Sequence, residues 1–164
     1  DLRWWQSGRK SKPDDLVKAA ARELFEGATL APARFKQAVS HVECAIGLLK
    51  DLPQVSVLSE FSTGFMLAGE EVNSVLDLAV ETAPGKWRII DYKTGKPDEQ
   101  YESQLESYAV ALNRYCTARG RLIKEIETAI LYTGTGKLEQ VAHYQAADIA
   151  ATESRLEKHG SQAK

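Results

Sequence analysis

An α/β domain, with a central mixed, largely antiparallel β-sheet flanked by helices, is the fold class that the sequence predicts. Apolar residues recur at helical spacing in four stretches and alternate with polar ones in the segments between them. Turn residues such as Ala83-Pro84-Gly85-Lys86 join neighbouring extended segments closely enough for antiparallel pairing. The 164 residues suffice for one domain with a sizeable core and are too few for two, so residues 1–164 are expected to form a single domain.

Composition narrows the class. With 43% hydrophobic and 27% charged residues this is an ordinary globular chain, and a net charge of -2 gives no global basic signature. Any attraction to nucleic acid must then be local or assisted by a metal. Cys44 and Cys116 are far apart, with no CxxC and no Cys/His ligand spacing. They fit small buried residues in a reducing compartment and argue against zinc or iron–sulfur. There is no run of about 18 apolar residues and no basic-then-apolar leader, which predicts a cytoplasmic protein without a membrane segment. The chain opens on Asp1 rather than Met, as expected of a piece of something longer.

Taken in order, Asp1 to Pro13 is polar and aperiodic, with Trp4 and Trp5 available to dock on a groove or a neighbour. Asp14 to Glu26 reads as a helix capped by Asp14, with Leu16, Ala20 and Leu24 on one stripe. A second helix runs from Pro32 to Lys50 through Phe35, Val39, Val42, Ile46 and Leu49. His41 lies one position off that stripe, as a boundary residue would. Val55 to Ser62 and Phe65 to Leu67 then predict a hairpin turning at Thr63-Gly64, with Glu60 on the face of Leu58. Strand Val72 to Thr82 follows, its alternation placing Leu76, Leu78 and Val80 on one face and Val75, Asp77 and Ala79 on the other.

After the turn, Trp87 to Thr94 forms a strand on which Trp87, Ile89, Asp91 and Lys93 share a face. Asp98 caps the next helix, which reaches Arg119, ends at Gly120 and carries Tyr101, Gln104, Leu105, Tyr108, Leu112 and Tyr115 on one side. Strands Ile126 to Thr133 and Leu138 to Tyr144 and a helix from Ala146 to Lys158 complete the chain.

The polar residues set into these apolar strands carry the chemistry. Buried charge is costly unless it has a partner or a metal. Asp77 and Asp91, from adjacent strands, offer hard oxygen ligands of the kind Mg²⁺ or Mn²⁺ takes. Lys93, on the same side as Asp91, can orient a water or meet charge developing on a phosphate. A purely structural alternative is an Asp91–Lys93 ion pair at a sheet edge, with Asp77 capping a bulge. Lys86, Arg88, Lys96 and Lys137 sit at turns or strand ends, where solvated surface charge is the usual case.

Leu76-Asp77-Leu78, then Ile89-Ile90-Asp91-Tyr92-Lys93-Thr94-Gly95, then Tyr101-x-x-Gln104-Leu105-x-x-Tyr108-Ala109 resembles the RecB-like branch of the PD-(D/E)XK nuclease superfamily. That branch includes C-terminal nuclease domains of bacterial UvrD-like helicase-nucleases and CRISPR-associated exonucleases. The resemblance implies a restriction-endonuclease-like core. It also implies a Mg²⁺ or Mn²⁺ ion bound by Asp77, Asp91 and the Tyr92 backbone carbonyl, with Lys93 as catalytic lysine and Gln104 and Tyr108 touching DNA or shaping the site. The implied protein is an exonuclease of DNA repair or recombination, working on a single strand beside a helicase motor domain or subunit. One feature departs from the family: its Gly-x-x-x-His setting on an N-terminal helix does not occur before the Asp14 helix, and His41 lies in a different context. Either the chain begins after that helix, or Glu60 completes the metal shell, or the domain is an inactive module that binds DNA or a partner subunit.

Overall fold

The structure is a computed structural model that describes residues 10–24, 30–67, 69–95 and 100–162. Trp4, Trp5, Lys96, Asp98 and Glu99 lie outside the described residues, and with them the docking of the tryptophans and the Asp98 cap.

Helix α1 spans Pro13–Leu24 and α2 spans Pro32–Leu49. Proline opens both, where its missing N–H costs no helical bond. Asp14 is therefore not a cap: it lies in the first turn of α1 beside Asp15, and the N–H groups of Asp15 and Leu16 donate to the Lys12 carbonyl. The buried stripe of α1 is Leu16, Val17 and Ala21, displaced by a residue from the expected one.

Five strands follow in the sheet order β1-β2-β3-β4-β5: β1 Ser56–Leu67, β2 Glu70–Ala83, β3 Lys86–Lys93, β4 Glu125–Tyr132 and β5 Lys137–Gln145. Helix α3, Gln100–Thr117, makes the crossover between β3 and β4, which pair in parallel, while the other neighbours are antiparallel. Gly120, at φ 68°, closes the chain after α3, and the Arg121 N–H donates to the Cys116 carbonyl at 2.9 Å. Helix α4 is Ala146–Gln162. Leu105, Val110, Leu112 and Ile149 of α3 and α4 cover one face of the sheet, over Trp87, Ile89 and Ile126. Leu16, Leu49 and Ile46 of α1 and α2 cover the other, over Leu78, Val80, Ile90 and Leu131. Cys44 and Cys116 are unpaired, and among the described residues no helix is long and apolar enough to cross a membrane.

The expected hairpin at Thr63-Gly64 does not form. β1 runs through that point and the chain turns instead after Leu67, which pairs with Glu70, with Gly69 at φ 82°. Gly64 stays extended opposite Asn73, and a Cβ there would lie 2.8 Å from Asn73 Oδ1. The glycine serves close cross-strand approach rather than a turn.

The alternation expected for β2 also fails, at Asp77. Leu76 packs with Ala79 and Ile89 under α3, whereas Leu78 and Val80 face α1 and α2. The break falls where β2 leaves β3, because their pairing begins only at Leu78↔Ile90. Beyond it β1 and β2 form a two-stranded ribbon, free to twist more strongly than a sheet interior. On β1 the same level is marked by Glu60, a non-glycine residue at φ 50° between the pairs Ser59↔Leu78 and Phe61↔Leu76. The ribbon thus lays Phe61, Phe65 and Val72 onto the core under α3. Arg114 pins it there, donating to the Met66 carbonyl and pairing with Glu153 and Glu157 of α4.

At the β2–β3 turn, Gly85 has φ 78°, and a Cβ would approach the Leu122 carbonyl oxygen to 2.9 Å. Gly85→Ala is expected to destabilise the domain by about 2–3 kcal/mol, from left-handed strain and a backbone clash, read as a lowered urea midpoint at unchanged slope.

Candidate active site

β3 ends in Asp91, Tyr92 and Lys93, and its period of two sends Asp91 and Lys93 to the α3 side below Ile89. The next pair in the β2–β3 register after Leu78↔Ile90 would join Asp77 to Asp91. There the ladder is taken over by a side chain: the Tyr92 N–H donates to Asp77 Oδ2 at 2.8 Å. The irregularity in β2 is what turns Asp77 toward the end of β3.

Asp91 is 2% exposed. Lys93 Nζ stands 2.7 Å from its Oδ2, with side-chain exposures of 21% and 3% respectively. The contact is an ion pair off the angle of a hydrogen bond, and the buried Oδ2 has no hydrogen-bond partner. Burial pushes the Asp91 carboxyl above its ordinary range; Lys93 opposes the shift and the Asp77 charge adds to it. For Lys93, burial favours the neutral amine, but the Asp91 carboxylate outweighs it and the ammonium holds its proton more tightly than usual.

Helix α3 supplies the remaining contacts of Lys93. Its Nζ donates to Gln104 Oε1 at 3.2 Å and lies 4.7 Å from the centre of the Tyr101 ring. Gln104 Nε2 in turn donates to the Tyr108 hydroxyl at 2.6 Å. Burial raises the Tyr108 phenol's affinity for its proton, helped by the Asp91 charge. Gln104 and Tyr108, one turn apart, thus form a short chain of hydrogen bonds ending on the ammonium. Periodicity puts Tyr101 on the packing face; its place three residues before Gln104 is the signal that it also reaches Lys93.

Asp77, Asp91, Lys93, Gln104 and Tyr108 are brought together. Tyr92 contributes its N–H to Asp77, while its ring packs on the opposite face with Leu78 and Ile90. Its hydroxyl is raised by burial first and by the charges of Asp77 and Glu60 next. Glu60 is exposed and level with Asp77, but among the described residues no three His, Cys, Asp or Glu side chains converge on one point. His41 joins the site only through the backbone: its Nδ1 lies 2.7 Å from Thr133 Oγ1, and the Thr133 N–H donates to the Lys93 carbonyl at 3.0 Å. Nothing local in the sequence signals that link, which crosses 92 positions. Of the cations considered for phosphate contact, Lys86 pairs with Glu125, Arg88 with Glu127 and Lys137 with Glu139.

A buried carboxylate whose Oδ2 meets one ammonium off the angle of a hydrogen bond, beside a second carboxylate on the neighbouring strand, suits a hard divalent cation. Mg²⁺ keeps several waters and needs only one or two protein carboxylates. The donor set fits such an ion.

The sequence model described as the PD-(D/E)XK nuclease superfamily matches residues 3–164. Among solved structures, a candidate exonuclease from Eubacterium rectale is 16% identical over 97% of this chain and 70% of its own, with a TM-score of 0.50. A second structure, of SSO0001, is 13% identical over 93% of this chain and 75% of its own, with a TM-score of 0.42. At 16% identity the first likeness is one of fold. No match emerged among curated proteins.

Proposed function

This chain belongs to the PD-(D/E)XK nuclease superfamily, and from that premise we propose that it is a Mg²⁺- or Mn²⁺-dependent deoxyribonuclease of the RecB-like branch. Its activity is that of an exonuclease on single-stranded DNA in the cytoplasm. The domain, residues 1–164, is part of a longer helicase-nuclease of repair or recombination. The observation that carries the metal-dependent chemistry is Asp91: a buried carboxylate one strand from Asp77, whose Oδ2 meets the Lys93 ammonium off the angle of a hydrogen bond. Burying this carboxylate beside a second acid is costly for stability alone even with one ammonium at 2.7 Å, and is explained if a cation completes the site.

In this scheme Asp77, Asp91 and the Tyr92 carbonyl hold the ion, which when bound acidifies a water and neutralises phosphate charge. Lys93 orients the attacking water and meets the charge that develops on the phosphate. Gln104 and Tyr101 keep the ammonium in place when the Asp91 oxygen is engaged elsewhere. Tyr108 fixes the Gln104 amide. The chain's net charge of -2 is compatible with a motor partner, because an attached helicase would carry most of the affinity for the phosphate backbone.

The test is cleavage of end-labelled linear and of circular single-stranded DNA with Mg²⁺, Mn²⁺ or EDTA. Linear strands should be shortened with either metal, circles should survive, and EDTA should stop the reaction. Cutting of circles would refute the exonuclease assignment. Metal-independent binding without cleavage would favour the inactive module.

A further inference from the structure

A cleft of about 540 Å³ opens one residue beyond Lys93, between α2 and the turn joining β4 to β5. β3 and β4 run in parallel and end level at Lys93↔Tyr132, so the next residues, Thr94 and Thr133-Gly134, form one wall together. The crevice outside the carboxyl ends of parallel strands is where an open sheet meets its ligands. The facing wall is Lys36, Gln37, Ser40 and His41, which fall on one side of α2 over successive turns.

We infer that this cleft seats the phosphodiester backbone of the single strand that passes through the site formed by Asp77, Asp91 and Lys93; the inference rests on the nuclease reading above. The lining fits an anion. Lys36 brings a positive charge, Gln37, Ser40 and Thr94 bring neutral donors, and none of the described lining residues is acidic in a chain whose net charge is -2. Lys36, Gln37 and Ser40 are exposed, and among the described residues no acid pairs with Lys36. None of the described lining residues is Phe, Tyr or Trp, and the one ring there, His41, is held by its bond to Thr133, so the lining favours contacts to phosphate over stacking of bases. Its shape is already set: the His41–Thr133 hydrogen bond ties helix to turn, and Gly134 keeps the gap open, since a Cβ there would stand 3.6 Å from His41 Cε1 and 3.8 Å from the Thr94 carbonyl oxygen. Strand polarity across the site follows from which end of the DNA enters this cleft.

The test is direct binding of a fluorescein-labelled oligodeoxythymidylate, followed by anisotropy across a salt series with Mg²⁺ present and in the Lys93→Ala background, where the strand is not consumed. Adding Lys36→Glu should weaken binding roughly fivefold and flatten the plot of log affinity against log salt by about 0.7. Gln37→Glu should weaken it in the same direction, and oligodeoxyadenylate should give the same Lys36→Glu ratio. Lys124→Glu, beside Gly85 at the opposite end of the sheet, is the control for net charge. The inference is overturned if Lys36→Glu and Gln37→Glu retain the parent affinity and slope, if Lys124→Glu weakens binding equally, or if no oligonucleotide binds. Because the readout is binding, failure of the wild-type chain to cleave DNA would sink the nuclease reading and leave this comparison standing.

Discussion

Lys93→Ala is expected to lower Mn²⁺-dependent cleavage of single-stranded DNA by about two to three orders of magnitude, and Asp91→Ala by at least as much. The lysine contacts Asp91 at 2.7 Å and is held from the other side by Gln104. Alanine leaves both neighbours in place, so the loss should fall on kcat more than on KM. The domain should stay folded in both variants. In Lys93→Ala the Asp91 carboxyl, whose proton affinity is already raised by burial, can take up a proton rather than remain as an uncompensated charge. Gln104→Ala removes only the Lys93 anchor and should cost less than removal of the lysine itself. Equal cleavage by wild-type and Lys93→Ala chains with matching circular dichroism would show that the mechanism is misassigned.

Thermal stability in Mg²⁺ is the second large effect. An ion that binds only the folded chain stabilises it by about 2.7 kcal/mol at a hundredfold excess over its dissociation constant. For a domain of this size that is a rise in Tm of roughly 5–10 °C. Asp91→Asn, which keeps the shape and removes the charge, should abolish the rise. A wild-type Tm that ignores Mg²⁺ and Mn²⁺ would count against the ion site without reference to catalysis.

In EDTA the same carboxyl gives a pH dependence of opposite sense to that of a salt-bridged surface acid. Its folded pKa lies above the ordinary 3.8, mainly through burial. As pH rises through 3.8 the unfolded chain releases this proton while the folded chain keeps it, so unfolding releases a proton and stability falls. The fall ends once pH exceeds the raised folded value, and below 3.8 the penalty is absent. This component of the slope should be missing in Asp91→Asn when urea unfolding is followed across that window.

Much of the site was legible because it depends on periods that belong to one segment. Two residues per repeat put Asp91 and Lys93 on one side of β3, and a helical turn stacked Gln104 under Tyr108. The strand–turn–strand around Gly85 was legible for a like reason, since a tight left-handed turn favours glycine whatever surrounds it. Errors arose where a residue has two local uses. Gly64 can turn a chain or admit a close neighbour, and only Asn73 opposite it selects the second. Pro13 and Asp14 can both begin a helix, and the Lys12 carbonyl bonds select the proline.

By itself the sequence determined the α/β class, the facing of Asp91 and Lys93, and the Gln104–Tyr108 pair, because these follow from the repeat of a single strand or helix. Tertiary structure alone decided that β2 changes face at Asp77, that the Asp91 carboxylate is buried, and that His41 reaches the end of β3 through Thr133. The physical reason is that twist, desolvation and cross-chain hydrogen bonds depend on which distant segments come within a few ångströms of one another. Those distances are set by the packed sheet and its two helical layers, and no window of neighbouring residues contains them.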